Sequence, residues 1–220
     1  MPTSIQTGCG CVASTEVLAR SPIRPAEPVV ARDGWEASAR RSSAPLTLTD
    51  VTAWAKVLVK ADANGALTGS SLPFGRAVRT TGGGLEVGCG PGEWLHLGPP
   101  GSVARILADR EAGTAGDELV TVLDVTHGGA LMRLTGRDAS SALAKLCAVN
   151  LSDGATPDLT AFCSSVAKTA TDVVRDDVGG LRSYLLHCDR SVGQYLWDCV
   201  LDAGREFGID VEGWAADERG

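Results

Sequence analysis

Residues 119–147 read LVTVLDVTHGGALMRLTGRDASSALAKLC, and this stretch decides the fold. Two apolar runs, 120–125 and 130–134, flank Thr126-His127-Gly128-Gly129, which reads as a turn between two strands. Behind the second run the hydrophobic period lengthens. Ala139, Ala142, Leu143, Leu146 and Cys147 follow the i, i+3, i+4, i+7, i+8 spacing of one buried helix face. Asp138 falls in the first turn of that helix, where a carboxylate offsets the positive end of the helix dipole. Strands followed by a helix, without regular βαβ alternation, indicate an α+β domain: a mixed or antiparallel sheet with helices packed on it.

The same signals recur on both sides. Upstream, 56–59 and 85–87 read as strands, and 93–97 alternates between Gly-Pro turns at 90–92 and 98–101. Ser102 is placed to cap a short helix over 103–109, followed by a Gly-rich polar loop at 112–117. Downstream, strands are expected around 162–168, 172–175 and 183–188, with 176–180 as the hairpin turn between the last two. A final helix opens on Ser191 as N-cap with Gln194 three residues on, a capping-box spacing. Its expected apolar face is Val192, Tyr195, Leu196, Cys199, Val200, Ala203 and Phe207, and Gly208 ends it in a left-handed turn. These elements make one domain over 46–214, with 215–220 as a tail.

Residues 1–45 differ from the rest. They carry five prolines (2, 22, 25, 28 and 45) and no sustained apolar period. The run Ser21-Pro22-Ile23-Arg24-Pro25-Ala26-Glu27-Pro28 favours extended polyproline II, because each proline fixes φ and restricts its predecessor. Disorder is expected over 1–19. Over 20–45 an arm lying extended on a partner is expected, since Trp35 with Val29-Val30 gives it something to bury.

Composition excludes several classes of function. The formal charge of −7 argues against a nucleic-acid partner, which requires a basic face. The sequence holds no run near 18 apolar residues, so no membrane span is expected, and the first 20 residues lack a signal-peptide core. A cytoplasmic location follows as the expectation. Seven cysteines (9, 11, 89, 147, 163, 188 and 199) are an odd number, which does not suit a disulfide framework. Cys9-Gly10-Cys11 has no second close pair to complete a zinc site, and no metal is expected. Cys147, Cys188 and Cys199 fall on core faces as small hydrophobes.

No GxSxG, GxxxxGK[ST] or HExxH motif occurs. Gly82-Gly83-Gly84 precedes a strand rather than joining a strand to a helix, so a dinucleotide or flavin site in this chain is not expected. Four residues remain as candidate ligand contacts. Asp124 and Asp172 lie in or beside valine-rich strands, where a carboxylate must be hydrogen-bonded or hydrated. Asp172 either accepts N–H donors from a ligand such as a pterin or starts its strand from a turn. His127 either orients a ligand or fixes its turn, and His187 sits within an alternating strand.

These residues resemble a known family. Val122-Leu123-Asp124-Val125-Thr126-His127-Gly128 followed by Leu134-Thr135-Gly136-Arg137-Asp138-Ala139 looks like a signature stretch of folate-dependent aminomethyltransferases. The likeness continues in order through Asn150-Leu151, Thr171-Asp172-Val173-Val174, Tyr184-Leu185-Leu186 and Glu206-Phe207-Gly208-Ile209-Asp210-Val211, spanning residues 119–212. Within that superfamily the chain is most similar to the gamma subunit of heterotetrameric sarcosine oxidase. That branch shares Arg20-Ser21-Pro22, the cysteine-bearing strand near 163 and Leu196-Trp197-Asp198.

The resemblance implies a folate-binding-type α+β domain without the transferase's C-terminal β-barrel. It also implies a heteromeric complex whose flavoprotein alpha- and beta-type subunits carry FAD, FMN and NAD. Such complexes oxidise sarcosine at the flavin and pass the one-carbon unit to tetrahydrofolate or release formaldehyde. Asp172, His187, Asp124 and His127 would then line any folate pocket here. The match is degraded: the family's acidic pair is met by Thr171-Asp172, and its pterin-contacting Asn by His187-Cys188. Two further readings stand beside the accessory subunit: a stand-alone one-carbon transfer protein, and a folate-sensing module without chemistry.

Overall fold

β9 (Gly129–Gly136) is buried along almost its whole length, and β4 (Ala55–Lys60) nearly so. Strands covered on both faces lie inside a sandwich, which explains why Ala-Leu-Met-Arg-Leu shows no polar face. The computed structural model describes residues 17–62, 72–112 and 119–214. In it the strands form two large facing sheets and a separate two-stranded hairpin. The first runs β10 (Ala161–Val166), β11 (Thr169–Arg175), β12 (Ser183–Asp189), β9, β3 (Leu46–Asp50), β13 (Ile209–Glu212). All its pairs are antiparallel except β13 with β3, so the sheet is mixed. The second, all antiparallel, runs β5 (Ala77–Arg79), β6 (Leu85–Gly90), β7 (Glu93–Gly98), β4, β8 (Thr121–Asp124).

Three apolar clusters hold these layers. Leu131, Val174 and Leu185 of the first sheet meet Leu85, Val87, Leu95 and Leu97 of the second. On its outer face, Leu46, Leu48, Met132, Leu134, Tyr184 and Leu186 pack under two helices, α2 (Ala139–Ala144) and α3 (Gly193–Gly204). The second sheet's outer face buries Ala55 and Val57 beneath Ile106 of α1 (Val103–Ala112). At one side the sheets are stitched together: Ala77 N donates to Leu159 O, and Ala161 N to Gly75 O.

The arm expected over 20–45 is folded back on its own domain, which corrects its assignment to a partner surface. β1 (Val29–Arg32) and β2 (Trp35–Ser38) form a hairpin, Ile23 joins the core, and Trp35 is only 7% exposed. The physical reason is that the aromatic ring finds a partner within the chain. Trp35 stacks on His127 with ring centroids 4.9 Å apart and planes 11° from parallel. Residues 1–16, with Cys9 and Cys11, and the tail 215–220 lie outside the described residues.

The last helix also departs from expectation. Asp189, not Ser191, caps its first turn, a short 3-10 segment over 190–192: its Oδ1 accepts from Ser191 N at 2.7 Å and Ser191 Oγ at 2.6 Å. Gln194 closes no capping box. Its Oε1 accepts from Arg24 N at 2.7 Å, tying the N-terminal segment to α3. The buried face is Leu196, Trp197, Val200 and Ala203, whereas Tyr195 is 51% exposed and donates its hydroxyl to Ala167 O. Gly208 takes the left-handed conformation as expected, with φ 68°.

Two buried polar side chains make measurable predictions. Tyr184 is fully buried, and its hydroxyl has no hydrogen-bond partner among the described residues. Leaving a hydroxyl dry costs free energy, so Tyr184→Phe is expected to be neutral or stabilising by about 1 kcal/mol. A loss beyond about 1 kcal/mol in urea denaturation would show that the hydroxyl is bonded. His96, on β7 beneath α1, is 4% exposed, and burial with Arg110 nearby pushes its pKa down to about 4. The unfolded chain binds the proton near pH 6.5 and the folded one does not until about 4. Stability should therefore fall by roughly 3 kcal/mol as pH drops through that window. His96→Gln should flatten the curve. A wild-type slope in the variant would refute this assignment.

Candidate functional site

Asp172 on β11 and His187 on β12 are directly opposed in the sheet, and both face the second sheet. Asp172 Oδ2 lies 3.2 Å from His187 Nδ1, so one of the paired candidates is a carboxylate–imidazole couple. The alternation of β12 aims Leu185 and His187 inward together, which is why the imidazole sits at the end of the intersheet core. Its ring lies over Gly129, where a Cβ would come within 2.2 Å of Nε2. Only glycine at 129 lets the ring approach this closely. Nε2 is buried with no hydrogen-bond partner among the described residues.

Beside Asp172 is a recess between the sheets, lined by Phe74, Val87, Cys89, Phe162 and Cys163 among others. Its volume is about 10 Å³, which accommodates roughly one water and not a bicyclic ring. The thiols there are poor nucleophiles. Burial, reinforced by the Asp172 carboxylate, pushes Cys89 up to about 12 and raises Cys163 as well. Burial likewise pushes Cys188 up to about 11.

Asp124 and His127 are not brought to this recess. They belong to the turn between β8 and β9. Asp124 Oδ1 accepts from Thr126 N at 2.9 Å, closing that turn, and His127 supports Trp35. Next to them is a buried polar centre that sequence reasoning missed. Lys56 is 0% exposed, with Nζ donating to Thr52 O at 2.7 Å and Trp54 O at 3.0 Å. Burial lowers its pKa to about 8 against the pull of Asp50 and Asp124, while burial raises Asp50. A lysine at the head of a strand reads as surface in a sequence. Only the fold brings the 52–54 turn, Thr126, Asp50 and Asp124 around it. Asp50 also borders a cavity of about 20 Å³ under the arm, walled by Ser21, Trp35, Trp197 and Trp214.

Among the described residues no cluster of three or more His, Cys, Asp or Glu is arranged to hold a metal ion, and no helix is long and apolar enough to cross a membrane. No protein-family model matches the chain, and no curated protein does. Solved structures do. A chain of heterotetrameric sarcosine oxidase from Corynebacterium sp. U-96, in complex with pyrrole 2-carboxylate, is similar over 78% of this chain and 90% of its own length. The TM-score is 0.64 and the identity 22%. Glycine cleavage system aminomethyltransferase T from Bartonella henselae is similar over 90% of this chain, with TM-score 0.67 and 15% identity. This chain spans 60% of that transferase. At such identities the likeness is one of fold, and the chain has the α+β fold that aminomethyltransferase T and a chain of heterotetrameric sarcosine oxidase share.

Proposed function

We propose that this chain is a gamma-type accessory subunit of a sarcosine oxidase-like complex, cytoplasmic and without catalytic residues of its own. The observation that carries this reading is the small size of the recess at Asp172: about 10 Å³ does not accommodate a pterin beside the one carboxylate retained from the family's acidic pair. The similar sarcosine oxidase chain is matched over 90% of its length, so the likeness extends to nearly a whole chain of a heterotetramer. Flavin, NAD and tetrahydrofolate then belong to partner subunits, where oxidative demethylation of sarcosine takes place. This chain contributes surface and rigidity. In that role the Asp172–His187 couple fastens β11 to β12.

Calorimetric titration of the isolated chain with tetrahydrofolate tests this. No binding is expected. Micromolar binding that disappears in Asp172→Ala would sink the accessory reading and place a folate site at Asp172, as a one-carbon transfer protein or a folate-sensing module requires.

A further inference from the structure

The Gly82-Gly83-Gly84 turn has no part in the site at Asp172. It lies at the opposite face of the second sheet, under α1, beside a cavity of about 50 Å³. Thr80, His96, Arg105, Asp109 and Arg110 are among its lining residues. By the measure on which one water requires roughly 10–15 Å³, this space suits three or four waters, or one compact polyatomic ion.

The two arginines come from one helix and converge on the cavity. Arg105 lies against the glycine turn, where a Cβ on Gly82 would meet its guanidinium at 2.7 Å. Any larger residue at 82 would displace the guanidinium. Arg105 stands 3.8 Å from Asp109, too far for a hydrogen bond, and Arg110 spends one donor, Nη1, in a long bond of 3.5 Å to Glu86 Oε2. Arg110 Nε is buried with no partner among the described residues. His96 is held neutral there, with Nδ1 3.8 Å from Glu86.

Glu86 and Asp109 therefore balance the two charges while leaving Arg110 Nε and the Arg105 guanidinium without a carboxylate hydrogen bond. Planar guanidinium forks with unspent donors are matched by the oxygens of carboxylate or phosphate. We infer that the cavity formed by Arg105, Arg110, His96 and the 82–84 turn is a binding site for a small oxyanion no larger than phosphate or acetate. The inference is independent of the proposed subunit role, since it uses no residue of the Asp172 recess.

Phosphate and acetate share the chemistry, and the test separates them. The full chain is titrated with sodium phosphate and with sodium acetate at constant ionic strength, with sodium chloride as control. Binding is read from the His96 ring resonances by NMR. Saturable shifts with one or both oxyanions are expected, and the tighter of the two identifies the ligand class. Arg110→Met should weaken binding about tenfold or more, as loss of one charge-assisted fork implies, and Arg105→Gln should weaken it in the same direction. Arg24→Gln, on the exposed N-terminal segment, should leave it unchanged. Shifts that chloride reproduces, or binding unaltered in both Arg110→Met and Arg105→Gln with the fold intact by circular dichroism, would overturn the site.

Discussion

Asp176→Ala is expected to cost about 3–5 kcal/mol of stability, because it leaves a buried guanidinium without its counter-charge. Arg133 and Asp176 have side chains 6% and 1% exposed, and Arg133 Nη2 donates to Asp176 Oδ2 at 2.7 Å. Arg133 Nη1 also donates to Ser183 Oγ at 2.8 Å, its guanidinium lies 5.4 Å from the Trp54 ring, and Arg79 Nε reaches Asp176 Oδ1 at 2.9 Å. The network joins β9, β12 and β5 and so bridges the two sheets. The double variant Arg133→Met/Asp176→Ala should recover much of the loss, since it removes both charges together. Denaturant unfolding measures both. A loss under about 1 kcal/mol in the single variant would show that water already reaches the pair.

Trp35→Ala should have an effect of similar size. Truncating a buried tryptophan costs roughly 3–5 kcal/mol when the cavity stays open. Here the ring also pins the hairpin to His127. The amides that close the arm on itself, Glu36 N to Ala19 O at 2.9 Å and Ala39 N to Pro28 O at 2.8 Å, should lose hydrogen-exchange protection together as the unpinned hairpin opens. Unchanged protection at Glu36 and Ala39 would mean that Gln194 and the Arg40–Asp210 ion pair hold the arm without the ring.

The central fold was legible because its signals are local. The β8–β9 turn, the first turns of α2 and the Gly208 stop are each written within a few residues of where they act, although α2 ends at Ala144, before the Leu146 and Cys147 of the expected face. β3 also carried a readable pattern, Leu46-Thr47-Leu48-Thr49, yet its pairing between β9 and β13 spans most of the chain. The arm was misassigned because proline spacing records local extension and says nothing about which surface the extended chain covers. Ser191 lost its cap to Asp189 because two residues capable of capping stand two positions apart, and only the backbone entry angle chooses between them.

At the site, sequence offered four residues as one pocket. Strand register unites Asp172 with His187, while Asp124 and His127 serve the turn and the arm. Lys56 and Asp50 were invisible for the same reason in reverse, since their burial depends on layers contributed from distant parts of the sequence.

The most direct test of the accessory role is to isolate the chain, tagged, from the cells that make it and measure sarcosine-dependent reduction of any flavin that accompanies it. The account predicts a stoichiometric assembly in which this chain co-purifies with a flavoprotein whose flavin is bleached by sarcosine. A chain recovered alone, free of flavin and binding tetrahydrofolate by itself, would contradict it.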